Sequence, residues 1–217
     1  MSGLLKNNFY TALSNARIFL AVMLFMSVCV VWSNDAQAFV MGYMLLGMTG
    51  FSVIPMAGIR KESASRWSRY KLTAPVKRKD IVKSYYVSQL LWLSAGVLLT
   101  GMGVGLSILL HGVPFDRNID ILMLFAVGTG LSLFAGAVFF PLYCFWGEER
   151  SEIALAFSLL GAAGLLAWLT AGINSLFGPH MSTAQIILGA AMVFVCALLT
   201  FFLSCPLTAF LFQRKEF

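Results

Sequence analysis

Glu148 and Glu149, followed by Arg150, form the only adjacent acidic pair in the chain. Two carboxylates at a membrane edge can activate water for proteolysis, one holding the proton the other takes, when an E-E-x-x-x-R spacing and partner histidines complete the site. Here Ile153 stands where that Arg would fall, and no histidine lies in the neighbouring segments. Cys29, Cys144, Cys196 and Cys205 are scattered, with no C-x-x-C and no His at ligand spacing, so neither a metal centre nor a disulfide framework is indicated. They suit small apolar packing positions. His111 and His180 sit beside Gly and Pro, as solvated turn histidines do. No G-x-x-x-x-G-K-[ST] loop is present to cradle nucleotide phosphates, and no G-x-S-x-G turn to raise a nucleophile. The chain is expected to be non-catalytic, with no metal or cofactor of its own.

The remaining candidate is residues 60–83, with nine cations against only Glu62 and Asp80. Trp67, Tyr70, Leu72, Val76, Ile81 and Val82 interrupt the charge. Residues 62–72 can form a short helix with Trp67 and Tyr70 on one side. Thr73-Ala74-Pro75 then stops it, and Pro75 can open a second short helix leading into the next apolar run. Such a loop can rest on anionic lipid, at about 1 kcal/mol per cation near the surface. It can equally dock a cytoplasmic protein through apolar anchors in a charged rim. Composition leaves both open.

The elements that hold this loop follow from the rest of the 217 residues. The chain is 59% hydrophobic and 11% charged, with mean hydropathy +0.85, whereas soluble chains run at about 45–50% apolar and about 25% charged. A soluble enzyme, a base-reading nucleic-acid binder and a disordered chain are excluded. So is an outer-membrane barrel, whose strands alternate in segments of about ten residues. Uncharged runs mark six spans at about 18–34, 38–59, 85–110, 121–146, 153–173 and 184–212. A spanning helix takes about 20 residues, and backbone in hydrocarbon must satisfy its hydrogen bonds within its own segment. The expected fold is therefore an all-α integral membrane protein of one domain, with six transmembrane helices, a short N-terminal interfacial helix and short cytoplasmic coupling helices.

Six spans with both termini in the cytoplasm put 14 of the 15 Lys and Arg residues inside, leaving only Arg117 outside. Lys6, Arg17, the first apolar run and Ala36-Gln37-Ala38 imitate a cleavable secretory signal. The long amphipathic leader argues for keeping that run as a span. In the leader Leu5, Phe9, Leu13 and Ala16 fall on one helical face, with Lys6, Asn7, Asn8 and Asn15 elsewhere, as in a helix lying in the inner interface.

No ionisable residue lies inside the six runs, which argues against ion-coupled transport, because intramembrane charges are costly and kept for function. Small residues repeat at four-residue spacing: Gly101 and Gly105; Gly128, Ser132 and Gly136; Ala163, Ala167 and Ala171. They permit close helix packing, within one subunit or across a dimer. Pro55, Pro141 and Pro206 fall in the cytoplasmic thirds of spans two, four and six.

Glu62, Trp67, Tyr70, Pro75, Arg78-Lys79, Ile81-Val82 and Tyr85, with Leu4-Leu5-Lys6 and Phe9 before them and Pro141, Tyr143, Trp146, Gly147, Glu149 and Arg150 after, resemble the small permease subunits of ABC-2-type ATP-binding-cassette exporters. Ala74 replaces the usual Leu before Pro75, and Ser84 stands where a basic residue often precedes the Tyr. The resemblance implies a plasma-membrane permease homodimer with a separate cytoplasmic ATPase that carries ATP and Mg. In that setting Glu62, Trp67, Tyr70, Pro75, Val76, Arg78, Lys79, Asp80, Ile81, Glu148, Glu149 and Arg150 would couple the ATPase to the spans, with Val76 and Ile81 as anchors. Within the family it is most similar to permeases that expel amphipathic peptides, phenol-soluble-modulin exporters among them. An energy-independent channel or lipid-tethering scaffold is the alternative.

Overall fold

The computed structural model describes residues 2–32, 37–64, 78–112, 115, 119–147, 150–178 and 182–214. Among them are six helices and no strand: α1 (Ser2–Trp32), α2 (Gln37–Ala64), α3 (Arg78–His111), α4 (Ile119–Trp146), α5 (Ser151–Phe177) and α6 (Thr183–Arg214). The helices α2 to α6 are each long and apolar enough to cross a membrane. A sixth crossing is α1 if its two portions count as one span, with a 57° bend between Leu5–Leu13 and Ala16–Trp32. The helices α2, α3, α5 and α6 overrun their uncharged runs at both ends, because a helix continues through its polar interfacial turns.

Local chemistry explains several boundaries. The helices α3, α4 and α5 end at Gly112, Gly147 and Gly178, all at positive φ, and each glycine N–H donates to the carbonyl four residues back. Glycine adopts such a positive φ without a Cβ clash. Ser182 and Gln185 form a reciprocal cap before α6: the Ser182 N–H donates to Gln185 Oε1 at 2.8 Å, and the Gln185 N–H donates to Ser182 Oγ at 3.4 Å. Pro55, Pro141 and Pro206 lie inside α2, α4 and α6.

Pairing along the helices gives their directions. Phe19 and Met23 of α1 sit by Gly50 and Gly47 of α2, while Ala12 sits by Gly58. The order runs oppositely, so α1 and α2 are antiparallel. Gly47 meets Thr100 and Phe51 meets Gly96, so α2 and α3 are antiparallel too. By contrast Gly130 of α4 packs on Val193 and Ala197 of α6, and Ala137 accepts a hydrogen bond from Ser204. Those two run parallel. The alternation places the start of α1, the end of α2, the start of α3 and the ends of α4 and α6 at one end of the bundle.

The core sits where α4 meets α2, α5 and α6, and where α3 meets α1, α2 and α6. Tyr43, Phe51, Phe139 and Phe201 are its largest fully buried side chains. The outer helix is α5, which buries Ser151, Ala154, Ser158, Ala162 and Ile173 and exposes Trp168 and Leu176. The small-residue repeats divide accordingly. Gly128 and Gly136 receive Met48 and Gln89, so that stripe is packed within the subunit. Gly105 faces open space, and a Cβ at Gly101 would meet only Phe125, at 3.8 Å; the close approach on α3 is made by Gly96 and Gly103 instead, against Phe51 and Tyr43. Ala163, Ala167 and Ala171 lie exposed along α5.

Candidate functional site

The expected coupling residues gather at one end of the bundle where they are described. Glu62 falls in the last turn of α2 rather than opening a separate helix, and Arg78 is the first residue of α3. Lys79 is exposed and Asp80 half-buried, the latter in the first turn of α3, where a carboxylate complements the helix dipole. Ile81 is only 2% exposed and Val82 1%. Both face the protein's own core, so the outward side chain at this helix start is Lys79 rather than Ile81. Arg150 is exposed at the N-cap of α5, after the Gly147 turn. Trp67, Tyr70, Pro75, Val76, Glu148 and Glu149, and with them the short coupling helices, lie outside the described residues.

From Arg78 the helix runs unbroken into the membrane, and its first half carries three buried polar links. Ser84, fully buried, donates to the Ile81 carbonyl at 2.7 Å and accepts from Asn8 Nδ2 at 3.1 Å. Tyr86 places its hydroxyl 2.9 Å from Ser204 Oγ and 2.8 Å from Thr208 Oγ1 of α6, and Ser204 Oγ donates to the Ala137 carbonyl of α4 at 2.6 Å. Gln89, fully buried, donates from Nε2 to Ser52 Oγ of α2 at 3.0 Å and to the Ser132 carbonyl of α4 at 2.9 Å. Ser132 Oγ in turn donates to the Met48 carbonyl at 3.1 Å. Successive turns of α3 therefore hold α1, then α6, then α2 and α4.

The pattern of charged residues does not reveal this network, which is built from uncharged side chains. Its signal is nevertheless present: Gln89 is the only Asn or Gln deep inside any of the six uncharged runs. The leader also differs from its apolar pattern. Asn8 is 8% exposed and packs inward, ahead of Ala12 and Ala16 at 0%, while Phe9 is 44% exposed. The buried face is the one that carries Asn8 because small residues at four-residue spacing follow it. A small cleft lined by Asn8, Thr11, Pro55, Gly58, Ile59, Tyr85 and Ser88 remains beneath the leader. Among the described residues no three His, Cys, Asp or Glu side chains come together as a metal site would require.

A bundle of long apolar helices, tied together by buried hydrogen bonds that run inward from the start of α3, defines a multi-pass membrane protein. The family model for ABC-2 family transporter proteins matches residues 3–213, and the chain belongs to that family. It is thereby a transmembrane permease subunit of an ABC transporter, in the plasma membrane of bacteria, and works with an ABC ATPase. No curated protein and no solved structure matches the chain.

Proposed function

We propose that the chain is the permease of an ATP-driven exporter, acting as two copies bound to two separate ATPase subunits. The observation that carries this is the family match over residues 3–213 in a sequence with no phosphate-binding loop. ATP and Mg then belong to the partner. Residues 60–83 and the turn at 147–152 are its docking faces, and closure of the ATPase moves α3 because Arg78 and Lys79 begin the same helix that crosses the membrane. The exposed Ala163, Ala167 and Ala171 stripe on α5 supports a second copy, since small residues let helices in lipid approach closely. With 11 Met and 19 Phe and no charge within the spans, the path suits amphipathic peptides or lipid-like molecules better than charged solutes.

Co-purification tests the partnership. The double variant Arg78→Glu, Lys79→Glu should lose most of the ATPase that co-purifies with the unaltered chain, while its membrane insertion and elution volume stay the same. Undiminished co-purification would remove the α3 start from the docking face. Amphipathic helical peptides should raise ATP turnover of the reconstituted complex, and a flat response across a peptide series would turn the cargo assignment to lipids.

A further inference from the structure

Among the described residues, two buried side-chain polar atoms have no hydrogen-bond partner: Gln89 Oε1 and Trp92 Nε1. One is an acceptor and the other a donor, and they lie one turn apart on α3. Residues three apart share a helix face, with Cβ atoms about 5–6 Å apart. A helical side chain also leans toward the turn before its own, so the Trp92 indole is carried over the turn that holds Gln89.

Gln89 is fully buried and Trp92 is 5% exposed. An unpaired polar atom buried in this way costs about 1–3 kcal/mol, and Leu would fill the position of Gln89 without that cost. The orientation of the amide is not arbitrary. Nε2 donates to the Ser132 carbonyl, which cannot donate in return, so the oxygen is the atom left over. It lies against Gly136, where even a methyl group would collide with it.

We propose that Gln89 and Trp92 form a hydrogen-bond switch in the transport cycle, an inference that rests on the ATP-driven permease reading above. In the present state Gln89 ties α2 to α4 through Ser52 and Ser132. In the other state its amide swings one turn along α3, Oε1 accepts from Trp92 Nε1, and Ser52 and Ser132 are released. Each state satisfies part of the amide, so neither is heavily favoured and a small displacement of α3 selects between them. Trp92 also senses the cytoplasmic end. Its ring stacks with Phe9 of the leader at 5.4 Å and with Phe51 of α2 at 6.3 Å, and Asn8 beside Phe9 is bonded to Ser84. Gln89 is thus a positioning residue, acting on helix packing rather than on cargo.

The indole N–H resonance of Trp92, assigned by its disappearance in Trp92→Phe, reports the switch in nanodiscs. On the permease alone, Ser52→Ala removes one acceptor and should shift that resonance downfield; Ser52→Ala with Gln89→Leu should not. If Ser52→Ala leaves it unmoved, the switch is refuted whatever the partner. On the complex with the ATPase, a non-hydrolysable ATP analogue should produce the same shift, and Gln89→Leu should abolish it and lower cargo-stimulated turnover about tenfold. If nucleotide alters the reactivity of Cys144 but not the Trp92 resonance, the switch has no part in the cycle and falls. If no ATPase assembles with the chain, the permease reading fails instead, and the Ser52→Ala shift still decides the hydrogen-bond exchange.

Discussion

At Gly136 the absence of a side chain is what lets Gln89 lie between α3 and α4. Gly136→Ala should therefore force the amide out of its bonds to Ser52 and Ser132, at a cost of about 1–3 kcal/mol for overpacking. Gly105→Ala is its control, because nothing lies within 4 Å of the added methyl. Thermal unfolding in detergent should show a lower Tm for the first and none for the second; equal values would contradict the packing of α3 on α4. Tyr86→Phe is expected to be milder, about 0.5–1.5 kcal/mol, because Ser204 keeps the Ala137 carbonyl and Thr208 keeps the Ser204 carbonyl. At this scale the sequence was partly legible. The Gly128–Ser132–Gly136 repeat signalled close approach, but that Gln89 enters it from α3 depends on a residue 47 positions earlier in the chain.

Helix ends and directions belong to the next scale. The cap formed by Ser182 and Gln185 holds the start of α6 by two bonds, and S-x-x-Q just before an apolar run is legible without coordinates. Replacing both by Ala should cost about 0.5–2 kcal/mol, seen as faster hydrogen exchange confined to the first turns of α6; unchanged exchange there would mean that the cap carries no load. The leader shows where periodicity misleads. Leu5, Phe9, Leu13 and Ala16 make the expected apolar face, yet of these only Ala16 is fully buried, beside Asn8 and Ala12, while Phe9 is 44% exposed. Helices in a bilayer gain little from hiding apolar surface from one another, so small residues that allow contact decide the face. Continuity of α3 from Arg78 to His111 is likewise a matter of the whole element. Charge density separates residues 78–84 from the span, but no helix-breaking residue does.

For the whole molecule, helix direction puts the start of α1, the end of α2, the start of α3 and the ends of α4 and α6 at one end, and the positive-inside rule predicts that this end faces the cytoplasm. In a background with all four cysteines changed to serine, His111→Cys should react with an impermeant maleimide on intact cells, whereas Lys79→Cys and Arg150→Cys should react only after permeabilisation. The reverse pattern would invert the protein and remove the docking face from the ATPase. Composition and run length alone determined that the chain is helical and spans the membrane, because the bilayer punishes any unpaired backbone group or stray ion wherever it falls in sequence. Only the tertiary structure decided which face of each helix is buried and that α3 is bonded to α1, α6, α2 and α4 in successive turns. Those contacts join residues far apart in the chain, and in lipid no hydrophobic force marks them beforehand; they are settled by steric fit and hydrogen bonds between particular side chains.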